Sequence, residues 1–293
     1  MTRNRLLALS AVAAMLSSGL FSSGIARAED PAPADLLEAA LWTQRSVEFK
    51  GNALTVYALA KLRLDQALAD KSWTAAPVEQ KGDYKELPPA VVLDVDETVL
   101  DNSLYQVWTI KAGTSFSEAT WNQFCAAQVS RAIPGAVEFT QYADSKGVKV
   151  FYVTNRAAST EKDTRENMQK LGFAMGGNVD TFLMQNEQPG WGSQKGTRRD
   201  YIANKASDKG YRILLEFGDN FGDFDDRYRA SEADRMKFFE ENKARWGREW
   251  LVIANPTYGS FDSAPFGHDY KKSPADQRKA KLDVLEGWSG PKQ

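Results

Sequence analysis

The residues most able to do chemistry cluster in four short strings, each with carboxylates, hydroxyls or cations at close spacing. The first is Val-Val-Leu-Asp94-Val-Asp96-Glu97-Thr98. Two carboxylates two residues apart share one side of a regular strand, and if the backbone turns there Asp94 faces a substrate while Asp96 bends over it. Like charges at that distance repel, so a divalent cation is the natural means of keeping Asp94 ionised. An acidic strand end facing water is the alternative reading of this string alone. The second string, Thr154-Asn155-Arg156, joins a hydroxyl, an amide and a guanidinium in what reads as a turn suited to phosphate oxygens. The third, Gly218-Asp219-Asn220-Phe-Gly-Asp223, offers the hard oxygen ligands that magnesium prefers. The fourth, Ser193-Gln194-Lys195-Gly196, opens a helical segment with a cation able to neutralise both a phosphate and a nucleophilic carboxylate.

Three of these strings follow directly on short apolar runs. Ala90 to Val95, Val148 to Val153, Thr181 to Met184, Arg212 to Phe217 and Trp250 to Ala254 read as buried strands, separated by helical patterns. Pro134 suits a first helical turn, with a stop at Gly147; Ser159 or Thr160 suits a cap, with a stop at Gly172. This alternation predicts an α/β fold, a doubly wound, mainly parallel five-stranded sheet. Such sheets bind ligands at the carboxyl ends of their strands, where the strings lie. Asp35 to Asp70 is long helical pattern, with Gly51 as a candidate break. The predicted organisation is a leader over residues 1–28, an N-terminal helical segment over 29–89, a catalytic core over 90–260 and a C-terminal helical segment over 261–293. The two helical segments are expected to pack together as a smaller subdomain.

The leader rests on Arg3 and Arg5, an apolar stretch from Leu6 to Leu20, and the small-x-small site Ala26-Arg27-Ala28. The stretch falls short of the about 20 apolar residues a span needs. No Cys follows it to carry a lipid, so no stable membrane anchor is expected and the mature chain is placed in the periplasm or outside the cell. Cleavage would remove three of 37 basic residues, leaving 34 against 39 acidic ones, a formal charge of −5. That balance argues against a nucleic-acid polymer as partner. Cys125 is the only cysteine and His268 the only histidine. No intrachain disulfide can form, and histidine-rich metal sites or paired-histidine catalysis are excluded.

Asp94-x-Asp96-x-Thr98, Thr154, Lys195 and Gly218-Asp219-x-x-x-Asp223 resemble, in order, the four motifs of the haloacid dehalogenase superfamily. The longer strings Asp-Val-Asp-Glu-Thr-Val-Leu-Asp-Asn, Ser130-Arg-Ala-Ile-Pro-Gly-Ala-Val-Glu-Phe139 and Phe151-Tyr-Val-Thr-Asn-Arg156 look like the exported class C nonspecific acid phosphatases, over roughly Leu41 to Trp288. The resemblance implies a haloacid dehalogenase-like core. It further implies Asp94 as nucleophile, Asp96 as acid and then base, and Mg2+ held by Asp94, the Asp96 backbone carbonyl and Asp219, with Asp223 binding directly or through water. Thr154 and Lys195 would grip the phosphoryl oxygens, with Asn155 and Arg156 beside them. The substrate would be a small phosphomonoester, 5′-nucleotides among them, with Tyr258 and Trp121 as a platform for the leaving group; assembly as a homodimer is compatible with this. Many class C relatives carry a lipid-bearing Cys after the leader, which this chain lacks, and the individual stretch Asn186 to Trp191 makes Lys205 the fallback for Lys195.

Other signals carry less. Cys125-x5-Arg131 has the bare spacing of a tyrosine phosphatase, but the loop lacks glycine and its surroundings read as helix. His268 reads as a lone surface histidine, or else a general acid at the mouth of the site. A phosphotransferase of the same fold remains an alternative function. A non-enzymatic storage or binding protein is another, although it predicts a lost nucleophile.

Overall fold

The computed structural model describes residues 35–288 and Gly290; the expected leader lies outside them. The chain enters as two helices, α1 (Leu36–Arg45) and α2 (Val47–Ala69). They divide at Ser46, not at the expected Gly51. Ser46 is extended and its hydroxyl accepts from the Phe49 N–H, capping the new helix, whereas one interior glycine costs only about 1 kcal/mol. Phe49, Ala53, Tyr57, Ala60, Leu64 and Ala67 recur at steps of three and four and are buried.

The strands follow as β1 (Pro89–Leu93), β2 (Leu100–Asp101), β3 (Arg131–Ala132), β4 (Lys149–Ala157), β5 (Phe182–Gln185), β6 (Arg212–Gly218) and β7 (Trp250–Val252). Five of them form one parallel sheet in the order β5-β4-β1-β6-β7, and β2 and β3 form a small antiparallel ribbon. The interleaved helices are α3 (Ser103–Ala112), α4 (Glu118–Ala127), α5 (Ala136–Ser145), α6 (Glu161–Leu171), α7 (Gly196–Asn204) and α8 (Glu232–Glu241), followed by the short α9 (Ser260–Ser263) and α10 (Pro274–Asp283).

The period-2 pleat explains why helices cover both faces. Val91 and Leu93 point to one side with Tyr152, Phe217 and the buried stripe of α2, and Phe139 of α5 and Met168 of α6 join them. Ala90 and Val92 point to the other side with Val153, Ile202 of α7 and Phe238 of α8. Strands buried on both faces read as unbroken apolar runs, as these do. Helix α2 therefore belongs to the sheet's covering layer, and the residues from Asp35 onward form one compact unit; the boundaries expected at 89 and 260 fall inside it. Helix α10 packs on the turn Ala264–Phe266 and reaches the N-terminal segment through an Arg278–Asp35 ion pair of 2.9 Å. Among the described residues no helix is long and apolar enough to cross a membrane.

This topology creates the site. The crossovers from β1 run to one side through β4 and β5, then return to β6 on the other, so a crevice opens at the carboxyl ends of β1 and β6.

Candidate active site

Asp94 follows β1 directly. Its N–H donates to the Phe217 carbonyl at 3.0 Å, extending the β1–β6 pairing by one residue. The carboxylate is thereby held on the floor of an open cleft of about 660 Å³. The Thr98 hydroxyl lies 3.4 Å from Asp94 Oδ2 and 3.3 Å from Asp219 Oδ1, so the turn after Asp96 ties the β1 and β6 loops together. That turn is pinned from below by the Tyr57 hydroxyl of α2, which donates to the Thr98 carbonyl at 2.7 Å.

Lys195, at the start of α7, brings its ammonium onto Asp94 Oδ1 and to 2.7 Å from Asp223 Oδ1. Of the two candidate lysines, Lys195 is the one at the cleft. Lys205 is exposed at the far end of α7, 3.5 Å from Asp200, and does not line the cleft. The Asp219 carboxylate is oriented by the Asn255 amide at 2.8 Å, and Asp223 Oδ2 accepts from the Asn220 N–H at 2.9 Å. Gly218 is required here by close approach, since a Cβ would lie 2.3 Å from that of Asp223.

Carboxylate oxygens of Asp94, Asp219 and Asp223 all lie within 4.8 Å of one another. Burial drives the electrostatics of this trio. It pushes the Asp94 carboxyl up to about 7 against the pull of Lys195, with Asp223 and Asp96 adding to the rise. Asp219 is raised well above the usual carboxylate range by burial and then by Asp223 and Asp94. For Lys195 burial works against the charge, but Asp223 and Asp94 outweigh it, so the ammonium is held above its ordinary value. Three crowded oxygen donors with one lysine beside them suit a divalent cation, which would reverse the rise at Asp94 and Asp219.

Asp96 stands apart from this trio. Arg156 Nε donates to its Oδ1 at 2.9 Å. Nη2 stands 2.8 Å from the same oxygen in an ion pair while donating to Asn102 Oδ1 at 3.2 Å, and the Asn102 amide donates to Asp96 Oδ1 at 2.8 Å. The Thr154 hydroxyl is 3.4 Å from Oδ2. The expected turn at Thr154-Asn155-Arg156 is in fact the end of β4, which runs through to Ala157. Alternation along a strand then sorts the three side chains. Thr154 and Arg156 are buried on Asp96 and Asn155 is exposed at the cleft. Arg156 is 1% exposed, also donates to Thr164 at 3.0 Å, and does not line the cleft. Its expected place on the phosphate is corrected to one on Asp96.

Three contributors went unread in the sequence. Arg198, fully buried one turn along α7 from Lys195, donates to the Thr154 carbonyl at 2.5 Å and to Asn155 Oδ1 at 2.6 Å; its three-residue offset from Lys195 was the available signal. Glu97 adopts φ 57°, a costly conformation for a side-chain-bearing residue. It is held there by the Asn102 N–H at 2.8 Å and by the Tyr258 hydroxyl, and burial raises its carboxyl to about 8. Asn255 orients Asp219.

The rim is aromatic. Tyr105 packs Trp108, Phe116, Trp121 and Phe124 at centroid distances of 5.0 to 6.2 Å, and Phe116, Trp121 and Tyr258 face the cleft. His268 also lines it, with Nδ1 2.6 Å from the Ser263 hydroxyl. Cys125 is buried in α4, where burial pushes its thiol up to about 11, opposite to what a nucleophilic cysteine needs.

The profile of the HAD superfamily, subfamily IIIB (acid phosphatase), matches residues 30–261. The chain belongs to that family. The class C acid phosphatase from Bacillus anthracis is 31% identical and superposes with a TM-score of 0.75, covering 87% of this chain and 98% of that one. A second structure of the class C acid phosphatase from Bacillus anthracis, with tungstate bound, is 30% identical, with a TM-score of 0.77 and coverage of 89% and 100%. The HAD-like five-stranded fold and the phosphomonoester hydrolase activity of a class C acid phosphatase follow for this chain.

Proposed function

We propose that this acid phosphatase is an exported, magnesium-dependent enzyme that hydrolyses phosphomonoesters, 5′-nucleotides among them, through a phosphorylated Asp94. The observation that carries the reading is the buried floor, where Asp94 meets Lys195 with Asp219 and Asp223 alongside. Mg2+ held by Asp94, Asp219 and Asp223, and by the Asp96 backbone carbonyl, would supply positive charge to the phosphoryl oxygens and keep Asp94 ionised. Lys195 adds a second positive charge on the same group.

An Asp94 oxygen attacks phosphorus as the bond to the leaving oxygen breaks, and Asp96 gives that oxygen its proton, releasing the alcohol. Asp96 then takes a proton from water as the water oxygen attacks the aspartyl-phosphate, freeing phosphate and restoring Asp94. The Arg156, Asn102 and Thr154 contacts aim Asp96 for both steps. Binding of tungstate by the Bacillus anthracis relative supports a tetrahedral oxyanion pocket in this one. Trp121 and Tyr258, with Phe116, form an aromatic rim suited to stacking a nucleobase, and the leader over residues 1–28 supports export.

The test is a phosphomonoester panel that includes 5′-nucleotides, run on mature protein with Mg2+ or with a chelator, beside Asp94→Asn. Magnesium-dependent turnover abolished by Asp94→Asn is expected; undiminished hydrolysis by that variant would sink the mechanism.

A further inference from the structure

Behind the floor, out of reach of the cleft, lies a second set of charges. Arg199 is one turn beyond Lys195 on α7 and is buried. Its Nη1 donates to the backbone carbonyl of Asp223 at 3.0 Å and its Nε to Glu79 Oε1 at 3.0 Å. Glu216 of β6 and Asp226 stand 3.6 and 3.9 Å away. Asp226 in turn accepts from the Gly196 N–H at 2.9 Å, directly after Lys195. A Cβ at Gly196 would fall 2.4 Å from Asp226 Oδ2, so glycine is what lets this carboxylate reach the start of α7. The ring closes on the cleft side through the 2.7 Å Lys195–Asp223 pair. A buried ion pair is by itself weak evidence for stability. Here Arg199 and Glu216 are buried and Asp226 is partly exposed, and the contacts link Arg199 to both the Asp223 backbone and the start of α7. We propose that Arg199 is a positioning residue that fixes Asp223, and with it the metal side of the site, in register with Lys195 on the phosphate side. The inference rests on the magnesium reading above.

Titration calorimetry of Mg2+ into the full mature protein, without substrate, tests it alongside steady-state kinetics. Lysine cannot bridge Glu79 and the Asp223 carbonyl as the guanidinium fork does. Arg199→Lys is therefore expected to weaken Mg2+ binding and to lower kcat by about 10- to 100-fold, as loss of outer contacts to a metal site does, with KM little changed. Gly196→Ala, whose added Cβ would meet the Asp226 carboxylate first, should lower kcat at saturating Mg2+ while the fold, followed by circular dichroism, is retained; it carries the test if Arg199→Lys does not fold. A folded Arg199→Lys with unchanged Mg2+ affinity and kcat, or a Gly196→Ala enzyme with unchanged kcat, would overturn the proposal. Failure of the unmodified protein to bind Mg2+ would instead defeat the magnesium reading on which it stands.

Discussion

The floor and the rim of the cleft are built on opposite plans. On the floor, Asp94, Lys195 and Asp223 are each under a tenth exposed and tied to one another, and the Arg156–Asp96 pair is anchored through Asn102 and Thr164. On the rim, Phe116 is 66% exposed and packs on Tyr105 and Trp121, while Tyr258 is tied to Glu97. Buried charges held in fixed positions cost no reorganisation during reaction, whereas an aromatic face offers apolar contact to leaving groups of many shapes. On the proposed function, the floor would dictate the reaction and the rim would bias which phosphate ester is used.

The sharpest way to break that contrast is at Asp94. Asp94→Asn should lower kcat by roughly 10⁴-fold or more, the scale seen when a covalent nucleophile is removed, at every leaving group tested. Asp96→Asn comes next, with a loss of about 10²- to 10⁴-fold while phosphate or tungstate still binds; a variant that fails to fold would count against its assigned role. Lys195→Met should cost about 10²- to 10³-fold and weaken oxyanion binding, read by inhibition with tungstate. At the rim, Trp121→Ala should change KM for nucleotides by a factor of about 2 to 10, the worth of one stacking contact, leaving kcat for a small aliphatic phosphate unaltered. A rim effect as large as those on the floor would dissolve the distinction.

The smallest effect concerns Glu97, which joins the two regions through Tyr258. Its folded-state value of about 8 stands above the ordinary 4.5, so the folded protein keeps a proton that the unfolded chain loses. Stability from this group is present below pH 4.5 and is lost as pH rises through about 8. Thermal melts of Glu97→Gln with a chelator present should therefore fall less steeply than those of the unmodified protein across that window. Parallel pH dependences would show that Glu97 is ionised on folding.

The sheet and the floor were legible because a doubly buried parallel strand is an apolar run and its ligand-bearing residues come next in the chain. That rule put Asp94, Asp219 and Asp223 at the strand ends, and the resemblance to the family motifs supplied the roles expected of them. The fate of Arg156 was not legible. A guanidinium at a strand end serves a phosphate or a neighbouring carboxylate equally well, and the extra length of β4 turned it with Thr154 towards Asp96. Arg198 and Arg199 were hidden for a similar reason, since buried arginines look like surface ones until their partners, distant in sequence, are placed. The break in the first helical stretch came at Ser46 because a cap outweighs a glycine.

The central claim is that phosphorus is transferred to Asp94. It is tested most directly by acid-quenching the enzyme during turnover, reducing any acyl phosphate with borohydride, and sequencing the peptides by mass. Conversion of residue 94 to homoserine, absent without substrate and absent in Asp94→Asn, is the outcome predicted. An intact Asp94 with homoserine at another carboxylate, or at none while turnover proceeds under conditions that trap known acyl phosphates, would contradict the account.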